Sequence, residues 1–369
     1  MIIGVDGYFL YEQNNTGMGT LARNVLKEIA RLDHTNTYIL FTPKVFHDEY
    51  VQEITQNKNI KILEVNSILK KWRRLWLQSL KLRKKIIQEK VDIFFGPSEY
   101  IPVLLPKKVK TVVTIHDVVF KIFPSTISFF DKILYNSLLP LCVRKADAII
   151  TISHSSKEEI KKYLHVDESK ISVIHNGIPL DKYIPPKKVI KENYILFVGT
   201  LQPRKNLVSL LKAFTLIAKE TDCNMVVVGA MGWKTSSIEN TVESIEPTIR
   251  KKIHFLGYVD NDQLINLYQK ALIFVAPSLH EGFGLIILEA LASGTPVVTS
   301  PCGAIPEVFK DSVIYADPLK PDDIAQKIVD LLKNKQNQKK MIVQGITFAK
   351  NYDVSITAQK YIDFFNSFA

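Results

Sequence analysis

Short apolar runs alternate with amphipathic segments along most of this chain. "TVVTIHD", "DAIITIS", "NYILFVGT", "NMVVVGA" and "ALIFVAPS" are rich in valine and isoleucine and too short for helices, which predicts buried strands. Between them, "KEEIKKYL", "NLVSLLKAFTLIAKE" and "NDQLINLYQKA" carry apolar residues at helical spacing. "MIIGVDGYFL" has no basic region and carries Asp6 early, so it reads as a first buried strand and not as a signal peptide. Strand and helix in alternation predict an α/β fold of parallel sheets with crossover helices. The pattern occurs twice. "LDKYIPPKKVIKENY", rich in proline and lysine and without an apolar period, separates the two sets near Pro185. A first domain over 1–182 and a second over 183–351 are therefore expected.

Composition changes this picture only through charge. At 369 residues the chain exceeds what one core usually serves, in keeping with two domains. The hydrophobic fraction of 46% speaks against disorder, and no apolar run reaches the roughly 18 residues of a transmembrane helix. Cys142, Cys223 and Cys302 are too few and too scattered for a disulfide framework or a zinc site, and they fit a reducing cytoplasm. The net charge of +11 implies an anionic partner: nucleic acid, an anionic membrane surface or a phosphorylated substrate. The densest patch, "LKKWRRLWLQSLKLRKK" (69–85), has eight Lys or Arg and no acid. Trp72, Trp76 and Leu80 recur at i, i+4, i+8 within it, which predicts one basic amphipathic helix. Its apolar stripe faces the core or an acidic lipid surface, and both hold if only the cationic face meets the membrane. Nucleic-acid binders interleave aromatic and basic residues across a whole domain; here that mixture is confined to one segment, which argues against nucleic acid.

Ligands of open parallel sheets bind beyond the carboxyl ends of the strands. Four stretches lie there. "EQNNTGMGTLARNVLKEIA" follows the first strand; Gly17 and Gly19 allow a tight turn and Thr20 a helix cap, a phosphate site or a plain turn. "TVVTIHD" ends in His116 and Asp117, with a structural histidine as the alternative. "NYILFVGTLQPRKNL" ends its strand at Gly199 and places Arg204 and Lys205 just before a helix, as a diphosphate clamp or as solvated loop cations. "HEGFGLIILEA" sets Glu281 in a glycine turn, leaves the amides of Gly282 and Gly284 near a helix N-terminus, and puts Glu289 more than one turn inside an otherwise apolar helix. A buried carboxylate needs hydrogen-bond donors, and paired sugar hydroxyls supply them.

"EGFGLIILEALASGTPVVTS" matches the E-x7-E signature of a large superfamily of retaining glycosyltransferases, and "GTLQPRKNL", "HNGI", "GYV" and "TIHD" match it in order and spacing. Over essentially its full length the chain resembles glycosyltransferase family 4, the sucrose synthase and mannosyltransferase-like group. The resemblance implies the GT-B fold: two Rossmann-like parallel-sheet domains with an interdomain cleft, the first binding the acceptor and the second the nucleotide sugar. It also implies a C-terminal helix (352–369) that crosses back onto the first domain. By the same resemblance Glu281 contacts the hydroxyls of the donor sugar, helped by the amides of Gly282, Phe283, Gly284 and Leu285. Glu289 holds the nucleotide ribose diol, and Arg204 and Lys205 clamp the diphosphate beside Gly199. Tyr258 and Val259 meet the base, Gly17 and Gly19 lie beside the diphosphate, and His116 lies near the reacting sugar. Val354 stands where an aromatic is common, and Ile286 where proline is common.

No carboxylate pair reads as an acid and nucleophile flanking an anomeric carbon. Asp260 and Asp262 in "VDNDQL" have the Asp-x-Asp spacing of metal-dependent transferases, but they start a helical pattern, which capping explains better. The expectation is therefore no required metal and no cofactor, with Arg204 and Lys205 stabilising the departing nucleotide diphosphate. The combination of "RRLWLQSLKL", "VDIFFGPSEYIP" and "TIHDVVFKIFP" resembles bacterial mannosyltransferases of surface-polysaccharide assembly. That resemblance implies GDP-mannose as donor, with a UDP-sugar as runner-up, and a lipid-linked oligosaccharide as acceptor. A peripheral position on the inner face of the cytoplasmic membrane, through 69–85, completes the expectation. A nucleotide-sugar epimerase on the same fold and a non-enzymatic sugar or nucleic-acid binder are the rivals; a phosphorylase would need a much longer chain.

Overall fold

The computed structural model describes residues 1–11, 17–46, 48–70, 72–124, 129–186, 189–232 and 235–368. It forms two compact units, Met1–Gly177 with Val354–Ala369, and Ile178–Asp353.

The first unit holds a seven-stranded sheet. Its strands are β1 (Ile2–Asp6), β2 (Thr37–Thr42), β3 (Ile60–Glu64), β4 (Ile93–Gly96), β5 (Lys110–Thr114), β6 (Ala148–Thr151) and β7 (Ile171–Val173), in the spatial order β3-β2-β1-β4-β5-β6-β7. All pairings are parallel. The second unit holds β8 (Tyr194–Val198), β9 (Asn224–Val228), β10 (Ile253–Gly257), β11 (Ile273–Ala276), β12 (Val297–Thr299) and β13 (Ile314–Tyr315), in the order β10-β9-β8-β11-β12-β13, also parallel. Helices cover both faces, which is why β6, β8 and β11 are apolar without alternation and buried throughout. Within each sheet the strand order reverses at one point: between β1 and β4 in the first, between β8 and β11 in the second.

Each unit has its own core. Trp76, Phe41, Phe94, Leu139 and Ile149 centre the first, and Phe197, Leu210, Phe214, Ile273 and Ile328 the second. The final helix, Val354–Ser367, belongs to the first unit. Phe365 meets the ring of Phe95 edge-on at 5.3 Å, Thr357 Oγ1 donates to the His175 carbonyl at 2.9 Å, and Val354 is buried.

Two local expectations are corrected. The segment 69–85 is not one helix: Arg73–Leu77 and Leu80–Gln88 are separate, and Ser79 caps the second by accepting from Leu82 N. The break separates the predicted stripe. Trp76 is fully buried, its indole donating to the Val65 carbonyl, whereas Trp72 and Leu80 point outward at 61% and 69% exposure. The cations are not one solvated face either. Arg73 pairs with Asp6, Arg74 lies over the rings of Tyr100 and Tyr135, and Lys85 pairs with Glu89. Lys71 lies outside the described residues. The second correction concerns the first glycine motif. The helix Gly17–Leu32 already contains Gly17, Gly19 and Thr20 in its first turn, so they do not form a turn and cap ahead of it. Residues 12–16, also part of that motif, lie outside the described residues.

Candidate active site

Glu281 is the centre of a buried ionic cluster in the second unit. It follows β11 and is 7% exposed. Its Oε1 accepts from Lys205 Nζ at 2.6 Å and from Ser278 Oγ at 2.7 Å, and its Oε2 accepts from Arg204 Nη1 at 3.0 Å. Burial alone would raise this carboxyl. The Lys205 ammonium and the Arg204 guanidinium outweigh burial and, with the hydrogen bonds from Lys205 and Ser278, hold it at about 2. Arg204 and Lys205 stand on a single 3-10 turn, Pro203–Lys205, after β8. Two further bonds fasten this turn to the β11 loop: Arg204 donates to the His280 carbonyl, and Leu279 N donates to the Arg204 carbonyl at 2.8 Å. Asn206, at φ +57°, closes the turn and donates to the carbonyls of Pro277 and Pro318. The cluster therefore sits at the point where the second sheet reverses its order, as the rule for open α/β sheets requires.

Backbone crowding fixes the loop. Gly284, at φ +94°, precedes the helix Leu285–Ala292, and a Cβ there would lie 2.9 Å from the Phe309 ring. Phe283 is buried against Phe309 and Tyr352, so its side chain serves the core and only its backbone belongs to the loop. Gly303 was not legible as a site residue. A Cβ on it would stand 2.3 Å from the Glu281 carbonyl oxygen, and the neighbouring Ala304 N donates to that oxygen at 2.9 Å.

Glu289 lies on the next turn of the helix Leu285–Ala292 and is half-buried. Its Oε1 accepts from Tyr183 OH at 3.1 Å and its Oε2 from Tyr268 OH at 3.0 Å. Burial pushes its carboxyl up, the two phenols and the more distant Lys205 pull it back, and the balance is about 7. Neither tyrosine has a signal in sequence, because the contacts span 106 and 21 positions. Gly199, at φ +148°, ends β8 beside the aliphatic stem of Lys205. Tyr258, 75% exposed, and the half-buried Val259 follow the edge strand β10. The structure thus joins Glu281, Arg204 and Lys205 directly and sets Glu289 on the helix that follows. It places Tyr258 and Val259 two strands away from β8.

The remaining predicted residues belong to the first unit. His116 follows β5, and its Nε2 lies 3.0 Å from the Pro97 carbonyl. A carbonyl only accepts, so that nitrogen carries the proton. Asp117 Oδ1 accepts from Val119 N, the first residue of the next short helix, at 3.1 Å. Gly17 is exposed and Gly19 buried at the start of the first helix.

Asp260 accepts from Gln263 N at 2.8 Å as the N-cap of the helix Asn261–Lys270. Among the described residues, no helix is long and apolar enough to cross a membrane.

Two parallel α/β units of this order define the GT-B fold of the glycosyltransferases. Solved structures agree: a glycosyltransferase from Rickettsia africae superposes with a TM-score of 0.72 at 20% identity, covering 99% of this chain and 97% of that one. HepE of Anabaena, solved with UDP and glucose, gives 0.73 at 16%, covering 99% of each. Residues 15–182 match the model described as Glycosyltransferase Family 4, and 182–348 match that of the Glycosyl transferases group 1. The chain belongs to glycosyltransferase family 4 and is a hexosyltransferase. The O-antigen chain mannosyltransferase B of Escherichia coli is 29% identical over 363 residues, 91% of this chain and 92% of that protein. The O-antigen chain mannosyltransferase RfbU of Salmonella typhimurium is 34% identical over 206 residues, 56% of each.

Proposed function

We propose that this enzyme transfers mannose from GDP-mannose, with retention of configuration, to a lipid-linked saccharide in O-antigen-type surface polysaccharide assembly. The relative that carries the reading is the mannosyltransferase of Escherichia coli, which is similar over nearly the whole length of both chains. In the second unit Arg204 and Lys205 bring two positive charges against the single carboxylate of Glu281, so the cluster keeps one net positive charge. That excess, fixed in position and partly desolvated, suits a departing nucleoside diphosphate without a metal. Glu281, held ionised, accepts hydrogen bonds from hydroxyls of the donor sugar, with the backbone of Gly282 to Leu285 and the stretch around Gly199 nearby. Glu289 exchanges its tyrosine donors for the ribose diol, and the Tyr258–Val259 backbone meets the base. In the first unit His116 faces the reacting sugar, and Gly17 and Gly19 lie beside the diphosphate. The acceptor hydroxyl enters on the face the diphosphate leaves.

Turnover with a panel of radiolabelled nucleotide sugars tests this. Transfer from GDP-mannose with an α-linked product supports it; transfer only from a UDP-sugar, or release of an epimerised nucleotide sugar, replaces it.

The surface near 69–85 supports a second partner. Ile68, Trp72, Leu75 and Leu80 are exposed apolar groups, with Lys81 and Lys84 exposed beside them. Apolar anchors among cations suit an anionic lipid surface, where the lipid-linked acceptor resides.

A further inference from the structure

Tyr268, one of the two tyrosines that hold Glu289, is itself held from behind. It stands on the last turn of the helix Asn261–Lys270 and is fully buried, its ring edge-on to Phe274. Its carbonyl accepts from Thr295 Oγ1. Thr295, 1% exposed, follows the helix Leu285–Ala292 that carries Glu289. A hydroxyl has one proton, and Thr295 gives it to that carbonyl, so any further bond it makes is one it accepts. Lys191 supplies that bond: its Nζ lies 3.1 Å from Thr295 Oγ1 and 2.9 Å from the Gly294 carbonyl. Neighbours of Lys191 grip the same turn. Glu192 N donates to the Lys270 carbonyl at 2.8 Å, and Tyr194 OH to the Leu267 carbonyl at 2.8 Å.

Stability alone gives no reason for an ammonium in this place. Lys191 is half-buried, and among the described residues no carboxylate forms an ion pair with it. Burial lowers its ammonium to about 8. Desolvating a cation that has no counter-charge works against the fold. The charge does suit one feature: Gly294 lies just past the C-terminal end of the Glu289 helix, where a cation complements the helix dipole. The bonds then run in one line, from Lys191 through Thr295 to the Tyr268 backbone, and from the Tyr268 phenol to Glu289 Oε2 at 3.0 Å.

We propose that Lys191 is a positioning residue for Glu289: it fixes the end of the Glu289 helix and, through Thr295, the backbone of Tyr268, so that the carboxylate keeps one orientation. As an effect on nucleotide affinity, the proposal rests on the reading of Glu289 as the group that receives the ribose diol.

The test is a double-mutant cycle on the intact enzyme, titrated with GDP and with UDP. Lys191→Met should weaken the nucleotide that binds by about fivefold, and Thr295→Val, which cuts the line but leaves Lys191 on Gly294, by about threefold. Lys191→Arg restores a cation with its donors and should return the affinity to within about twofold of wild type. In steady state Lys191→Met should raise KM for the nucleotide sugar by the same factor and leave kcat in place. In a Glu289→Gln background Lys191→Met should change affinity by less than about 1.5-fold, because the group it acts through is gone. Should Lys191→Met fail to fold, Thr295→Val carries the same cycle. Equal weakening in both backgrounds overturns the proposal, since general support of the fold produces that result. So does wild-type affinity in both Lys191→Met and Thr295→Val. If Glu289→Gln itself leaves nucleotide affinity unchanged, the ribose reading fails, and a carbon-13 titration of the Glu289 carboxyl decides the positioning role alone. Lys191→Met should then move that titration up by about half a pH unit, because Tyr268 loses its hold and a cation is removed. The other groups that act on Glu289, Tyr183 and the more distant Lys205, are untouched by the change. An unmoved carboxyl overturns the proposal.

Discussion

Lys205 Nζ lies 2.6 Å from Glu281 Oε1, and both side chains are about nine-tenths buried. The pair joins the loop after β8 to the loop after β11, so this carboxylate has a structural part beside the chemical one proposed for it. Glu281→Gln removes the charge while keeping the shape. Two cations then share a partly desolvated site without their nearest counter-charge, which costs about 3 kcal/mol of stability. Turnover should fall on the order of 100-fold or more, the usual effect of losing a preorganised electrostatic contact. Thermal melts and steady-state rates measure the two separately. Near-normal turnover by the folded variant would remove Glu281 from the chemistry.

Glu289 gives the enzyme a pH response. Burial holds its carboxyl up at about 7, above the usual carboxylate range, and only the ionised form offers both oxygens as acceptors to a ribose diol. Nucleotide binding should therefore flatten above about pH 8 and weaken as the pH falls through 7, by at most about tenfold per pH unit, towards the lower affinity of the acid form. Tyr268→Phe removes a donor that pulls the carboxyl down, so it should move the break to higher pH. Glu289→Gln should abolish the break. GDP titrations between pH 5.5 and 8.5 decide this, and a flat wild-type profile would rule out the diol assignment.

Asp260 is a helix cap, so Asp260→Ala should cost about 1 kcal/mol in denaturant unfolding and leave turnover alone. Activity should likewise persist in excess EDTA. Loss of activity with chelator and its return with magnesium or manganese would transfer the role given to Arg204 and Lys205 to a metal.

The lipid attraction proposed for this enzyme rests on residues the first unit leaves exposed. Each cation near an anionic surface contributes about 1 kcal/mol, less in high salt. The wild type should co-sediment with phosphatidylglycerol vesicles, ignore neutral ones, and release in high salt. Lys81→Gln with Lys84→Gln, or Trp72→Ser with Leu80→Ser, should bind much less, whereas Arg73 is turned toward Asp6 and is excluded from this test. Equal sedimentation by all three proteins would leave the patch without a lipid role.

The strands and the Glu281 loop were legible because both depend on residues close in sequence. Apolar runs such as "ALIFVAPS" need no partner to be recognised, and the glycines after Glu281 announce a turn wherever they occur. The ion pairs of Arg204 and Lys205 with Glu281 were not read from the sequence, which gave these cations to a diphosphate. What failed was local extrapolation across a break. Trp72, Trp76 and Leu80 share a face only if the helix is continuous, and Ser79 interrupts it. What stayed invisible were pairs set by sheet register and helix docking. Asp6 meets Arg73 across 67 positions and Glu289 meets Tyr183 across 106, and no spacing rule reaches so far.

The chain passes between its units only at Gly177–Ile178 and again at Asp353–Val354. Every strand of the second sheet, Glu281 with both its cations, and Glu289 with both its tyrosines lie inside that single stretch. Asp6 and Arg73 lie outside it. A crossover between related genes at these two seams therefore exchanges one complete sheet and its site while leaving the other intact. On the donor assignment proposed here, such an exchange replaces the whole donor site in one step and leaves the first sheet and its core unchanged.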